Sequence, residues 1–129
     1  MADMLDDPSE INSSILNSVK AQLGIPAEHN EFDSMLILDI NTAFGILYQL
    51  GVGTEEPFTV TDENDTWSSF ITQTNMEMAK QFVALKVREL FDPPTGAAAD
   101  ALTRNLDELT WRLNIAVNED ERNESESEG

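Results

Sequence analysis

Residues 33–53 read DSMLILDINTAFGILYQLGVG, and this stretch decides the fold class. Leu36, Ile37, Ile40, Ala43, Phe44, Leu47 and Leu50 recur at three- and four-residue spacing, which gathers them into one broad apolar stripe on a helix. Asp33 is placed to cap the helix at its start. Gly51 stands where a left-handed residue closes a helix end. The stretch therefore predicts one long amphipathic helix that needs other helices to cover it.

Towards the N-terminus the same punctuation repeats. Gly24 is a second candidate C-cap, Ile25 can fold back on the last turn, and Pro26 blocks continuation. Before it, Ile11, Ile15, Leu16, Val19 and Leu23 lie on one helical face, with Ser9 as expected N-cap and Glu10 in the first turn. A first helix over residues 9–23 and a polar linker, PAEHNEF, follow from this pattern.

Towards the C-terminus, residues 52–65 do not read as helix. Pro57 and the β-branched run Thr59-Val60-Thr61 predict an extended loop with a possible short strand. Its length exceeds the usual connection, which marks it for contact with a partner, with Glu55, Pro57 and Phe58 as candidates. A third helix is expected from Asp65 or Thr66 to Leu90, lined by Trp67, Phe70, Ile71, Thr74, Met78, Phe82, Leu85 and Leu90. It must stop at Asp92, Pro93 and Pro94, because the residue before a proline avoids helical angles and prolines lack the amide donor. A fourth helix is expected over residues 97–117, with Leu102, Leu106, Leu109, Leu113 and Val117 on one side. Asp100 with Arg104 and Glu108 with Arg112 stand in the favourable acid-first order.

These signals predict an all-α fold: a small bundle of about four helices with one long loop between the second and third. The expected division is an acidic tail over 1–8, a helical domain over 9–117 and a disordered acidic tail over 118–129. The chain has 129 residues, which suits one domain, and it contains no cysteine, so disulfides and thiolate chemistry are excluded. No apolar run is long enough to span a bilayer, and the acidic start has no signal-peptide pattern, so a soluble intracellular chain with no membrane partner is expected.

The net charge is −18, with fifteen acidic and six basic side chains in residues 14–117. Such a field repels phosphate backbones, which excludes conventional electrostatic binding of nucleic acid. It suits a surface that DNA must pass without sticking.

Catalytic and metal chemistry find no constellation. His29 is the only histidine, in an exposed linker, so neither a di-iron bundle nor a histidine zinc site can be assembled. DENDTWSSFITQ places Asp62, Asn64 and Thr66 at calcium-loop spacing, but Trp67 stands where the loop needs glycine and Gln73 where it needs glutamate. No Gly-rich phosphate loop or nucleophile elbow is present. No enzyme, cofactor or metal is expected.

Trp111 lies roughly 160° from Leu109 on the last helix, out of phase with the leucine stripe. It reads either as a boundary core residue or as an anchor against another subunit or partner. Arg112, Asn114, Ile115 and Val117 join it as candidate contacts.

Taken in order, ILNSVKAQLGI, FDSMLILDINTAFGILYQLGVG, TWSSFI, KVRELFDPP and TWRLN resemble the head–tail connector (adaptor) proteins of long-tailed bacteriophages, over about residues 14–117. The resemblance implies a non-enzymatic virion protein without cofactors. It implies a ring of copies, typically twelvefold, beneath the portal protein, extending the DNA channel and docking a stopper or tail-completion protein. DNA would be cargo only. Assembly would take place in the host cytoplasm. The resemblance further implies that residues 114–129 reach towards the portal and that the loop 52–65 faces the next component, while the ending NEDERNESESEG lies outside the matched pattern. The alternative is an acidic regulatory or DNA-mimic protein that occupies a nucleic-acid-binding enzyme; it accounts for the charge but not for the LFDPP break between long helices.

Overall fold

The computed structural model describes residues 14–53, 56–70 and 75–128, with the backbone alone for 120–128. Among the described residues there are five helices: α1 (Ile15–Leu23), α2 (Asp33–Leu50), α3 (Trp67–Phe70), α4 (Met76–Phe91) and α5 (Gly96–Glu128). Among the described residues there is no strand, and the single extended pairing is an isolated bridge between Ser14 and Thr66. The all-α expectation holds.

The stripe on α2 is the centre of the core. Leu36, Ile40, Ala43, Phe44 and Leu47 are buried, and α2 packs chiefly on α4, whose Ala79, Phe82, Val83 and Val87 are buried in return. α5 lies against α4 and, less extensively, α2 through Leu102, Leu106, Leu109 and Leu113. α1 covers α2 and α4 with Ile15, Leu16 and Val19. Each fully buried aliphatic or phenyl side chain contributes about 1.5–3 kcal/mol relative to exposure, so these spacings set the packing of the four longer helices.

Both glycine stops form as the sequence implied. Gly24 and Gly51 take left-handed angles, φ 79° and 87°. In each, the glycine amide and the next amide bond back to two carbonyls of the last turn: Ile25 to Lys20 at 2.8 Å, and Val52 to Leu47 at 2.9 Å. Gly53 is required for a further reason: its φ is 99°, and a Cβ there would collide with the ring of Phe70.

Several boundaries differ from expectation, for identifiable reasons. α1 begins at Ile15, capped by Ser14, whose Oγ accepts from the Asn17 amide at 3.1 Å; the expected cap Ser9 and the apolar Ile11 lie outside the described residues. The single third helix is instead two, α3 and α4. Asn75, a helix-disfavouring residue, stands before α4 as its N-cap at φ −87°, ψ 6°, and residues 71–74 lie outside the described residues. The expected strand at Thr59–Thr61 is replaced by a side-chain clamp described below. α5 does not end at Val117; its helical backbone runs on through residues 118–128 to a total of 33 residues, about 50 Å. That stretch has no proline or glycine and is rich in glutamate, a good helix former. Of the two acid-first pairs on α5, Glu108 and Arg112 meet at 2.9 Å, while Asp100 and Arg104 form no ion pair among the described residues.

Asp33 is not the N-cap of α2. Phe32 takes that position, and Asp33 is drawn sideways to Lys20 on α1. Lys20 is 1% exposed, and its Nζ donates to Asp33 Oδ1 and to the Ala27 carbonyl, each at 2.9 Å. One buried ammonium thus ties α1, the linker and the start of α2 together. Removing this carboxylate leaves a buried charge uncompensated, whereas an apolar replacement of the lysine removes that problem along with the charge. Asp33→Ala is therefore expected to cost about 3 kcal/mol, at the low end for such pairs because Asp33 keeps contact with water. Lys20→Met should cost less. Urea unfolding followed by circular dichroism measures both, and a Lys20→Met loss equal to or above that of Asp33→Ala would refute the assignment.

Candidate functional site

The loop between α2 and α3 is held in place by one side chain. Asn41 on α2 donates from Nδ2 to the Val60 carbonyl at 3.0 Å and accepts the Val60 amide on Oδ1 at 2.8 Å. The amide of Asn41 thus takes both backbone bonds that a neighbouring strand would have supplied, and this is why Thr59-Val60-Thr61 is extended without belonging to a sheet. Val60 itself is buried. Beyond it, Asp65 folds the chain back: its Oδ2 accepts from the Thr61 amide at 2.7 Å, the Thr61 hydroxyl at 3.1 Å and the Asp62 amide at 3.3 Å.

Those donors, the Thr61 amide foremost, hold the Asp65 carboxyl below the usual carboxylate range against an opposing desolvation. Asp39, on α2, is pushed the other way by burial.

The loop candidates separate. Pro57 is exposed. Phe58 is packed edge-on to Phe44 at 5.2 Å between ring centroids and also meets Phe70 at 5.4 Å, so its ring belongs to the core cluster. Glu55 lies outside the described residues. What the loop presents outward is a hydrophilic rim: Asp62, Glu63 and Asn64 border a groove of about 500 Å³ that is also lined by Glu28, Asn30 and Asp33. Among the described residues no group of histidine, cysteine or acidic side chains is arranged to hold a metal ion.

On α5 the candidates also divide. Trp111 is 64% exposed, so it is not a boundary residue of the core. Ile115, one turn on and at the same helical phase as Trp111, is half-buried. Arg112 is exposed beside them, held by Glu108. Asn114 sits on the flank, where its Oδ1 accepts from Asn118 at 3.3 Å. Val117 faces inward, against Gly51 and the core.

The corner between α4 and α5 is built as the prolines demand. Asp92 leaves helical angles at φ −146°, ψ 68°, and its amide bonds to the Arg88 carbonyl at 3.0 Å. The Arg88 Nε in turn donates to the Asp92 carbonyl at 3.1 Å. Phe91 meets Phe32 edge-to-face at 5.5 Å, pinning the corner to the start of α2. Asp92 and Pro93 are exposed, and Pro94 is half-buried.

One surface escaped the sequence reading. Met35, Leu38 and Tyr48 are exposed at 57%, 67% and 42%, on the side of α2 away from its core stripe. Thr42, Gly45 and Gln49 continue the same exposed face, and none of the six is charged. Gly45 has nothing within 4 Å of where a Cβ would stand, and its φ is not positive. A mid-helix glycine costs about 0.8–1.0 kcal/mol relative to alanine, and nothing within the monomer requires that loss. The available signal was that α2 carries large apolar residues, Met35, Leu38 and Tyr48, outside its core stripe.

A family model described as phage connector protein matches residues 15–120. No curated protein sequence and no solved structure matches the chain.

The Asp65 turn makes a pH prediction. Its folded-state pKa is depressed, so its contribution to stability is fully present above the unfolded value near 4 and disappears as pH falls through the lower folded value. Thermal melts across that acid range should show Asp65→Asn losing less stability on acidification than the parent chain. Identical acid limbs for the two would refute this role.

Proposed function

The chain belongs to the phage connector protein family, and on that premise we propose that it is a head–tail connector, or adaptor, which forms a ring beneath the portal protein. In this reading the ring extends the DNA channel and offers the docking surface for a stopper or tail-completion protein. The family is one of structural rather than catalytic proteins, and its members belong to the virion. The observation that carries the proposal is the reach of the family match: residues 15–120 span α1 to α4 and most of α5, so the resemblance embraces the whole packed body.

Three features support the finer assignment. The net charge of −18 gives an acidic channel wall along which DNA slides without adhering. The helix α5 runs 11 residues past Val117, about 16 Å at 1.5 Å per residue, which gives it the reach for a neighbouring component such as the portal. The hydrophilic rim of the loop, held rigidly to α2 by Asn41, is a preformed contact for the component below. Assembly takes place in the host cytoplasm and the product resides at the head–tail junction.

The direct test is co-purification with the portal protein of the same phage, followed by imaging of the portal stem. A ring of added density on intact portals is expected; absence of binding to intact portals would overturn the reading.

The corner at Asp92, Pro93 and Pro94 sets how α5 leaves the body, and its prolines act on the unfolded chain as well as on the fold. Replacing both by alanine should lower stability by no more than about 2 kcal/mol, since each such change is worth under about 1 kcal/mol through chain entropy. Portal binding should weaken by tenfold or more. Unchanged binding would show that the corner plays no part in assembly.

A further inference from the structure

Two apolar faces of this protein are uncovered, and they lie on different helices. One is the uncharged outer side of α2, with Met35, Leu38 and Tyr48 around the open position of Gly45. The other is the outer side of α5, with exposed Trp111 and half-buried Ile115 one turn on. Both helices bury their opposite sides in the same core, so the two outer faces are turned away from it in different directions. We propose that they are the two halves of one copy-to-copy contact, in which the Trp111 face of α5 seats on the Leu38–Gly45 face of α2 in the next copy. The proposal rests on the connector reading and assigns the surfaces by which its copies join.

Charge and shape choose the pairing. The helix α2 carries no lysine or arginine, and the acidic group flanking its open face is Asp39. The α5 face carries Arg104 and Arg112 on either side of Trp111 along the helix, with Asp107 and Glu108 between them, so charge is balanced around the indole. Matching α2 against α2 would bring two Asp39 carboxylates together, and matching α5 against α5 would set one Trp111 against another with no recess to receive it. Joining α2 to α5 instead places a charge-balanced face on an uncharged one, with arginines available to Asp39. The Glu108 partner of Arg112 is no obstacle, since both side chains are more than half exposed and such pairs are weak.

Shape agrees with charge. A large aromatic anchor in a protein interface needs a recess. Gly45, which has no role within the monomer, provides one in the middle of α2. The contact is heterologous, because each copy uses one face for its predecessor and another for its successor, and such contacts close into rings when the rotation per copy permits.

The chain lacks cysteine, so single thiols can be placed without background. Thr42→Cys marks the α2 face, Asp107→Cys marks the α5 face, and Gln81→Cys on exposed α4 surface is the control. The variants are mixed in pairs, free and bound to the portal of the same phage, and treated with a short bismaleimide. The mixed 42–107 product should exceed the 42–42, 107–107 and 81-containing products at least tenfold. Trp111→Ala in both members should cut it about tenfold while leaving the circular dichroism melt unchanged. Like-with-like products at or above the mixed one, or no mixed product above the control in either setting, would overturn the proposal. Rings on portals without the 42–107 product would remove this assignment and leave the connector reading standing; failure to bind portals would remove the connector reading itself.

Discussion

Phe44 lies midway along α2, and the rings of Phe58, Trp67 and Phe70 close on it at centroid separations of 5.2, 6.1 and 4.4 Å. These partners come from the loop and from α3, neither of which could hold its shape alone. A four-residue helix is far below the length at which helices persist in water, so α3 exists because Trp67 and Phe70 are buried there. The indole is fixed further by its Nε1, which donates to Ser18 Oγ on α1 at 3.2 Å. Through Phe44, therefore, the central helix organises the loop, the short helix and the first helix at once. The packing is close enough that Gly53 must remain glycine to admit Phe70.

Around this core the surface is divided unequally. Most of it is acidic, which repels nucleic acid and also repels further copies of the same chain. An acidic protein that assembles with itself must therefore concentrate association in places where charge is absent or balanced. The outer side of α2 has no charged residue among its exposed positions, and around Trp111 the cations Arg104 and Arg112 offset Asp107 and Glu108. The same field that repels nucleic acid thus restricts where a second copy could dock.

Much of the fold was legible because helical spacing and its punctuation are local. The apolar stripe of α2, the glycine stops at Gly24 and Gly51 and the proline corner after Phe91 all rest on interactions within a few residues. The errors arose where a distant group competed. Asp33 is a good cap by type, but Lys20 needs a carboxylate in the core and takes it. Phe58 sits in a loop of polar composition, but Phe44 and Phe70 draw it in. Thr59-Val60-Thr61 has strand composition, but its bonding partner is the Asn41 side chain. At the candidate site, Trp111 was visible because it broke the leucine phase, whereas Met35, Leu38 and Tyr48 were hidden among the many other apolar residues of α2.

By itself the sequence determined the helical class, the glycine stop of the central helix, the corner between α4 and α5 and the acidic field, because each follows from spacing, backbone stereochemistry or charge count. Tertiary structure alone decided which apolar residues are left outside. A helix with more apolar residues than one core can cover has to expose some of them, and which ones depends on the direction from which its neighbours pack. On α2 those neighbours leave Leu38 and Gly45 in the open, and on α5 they leave Trp111.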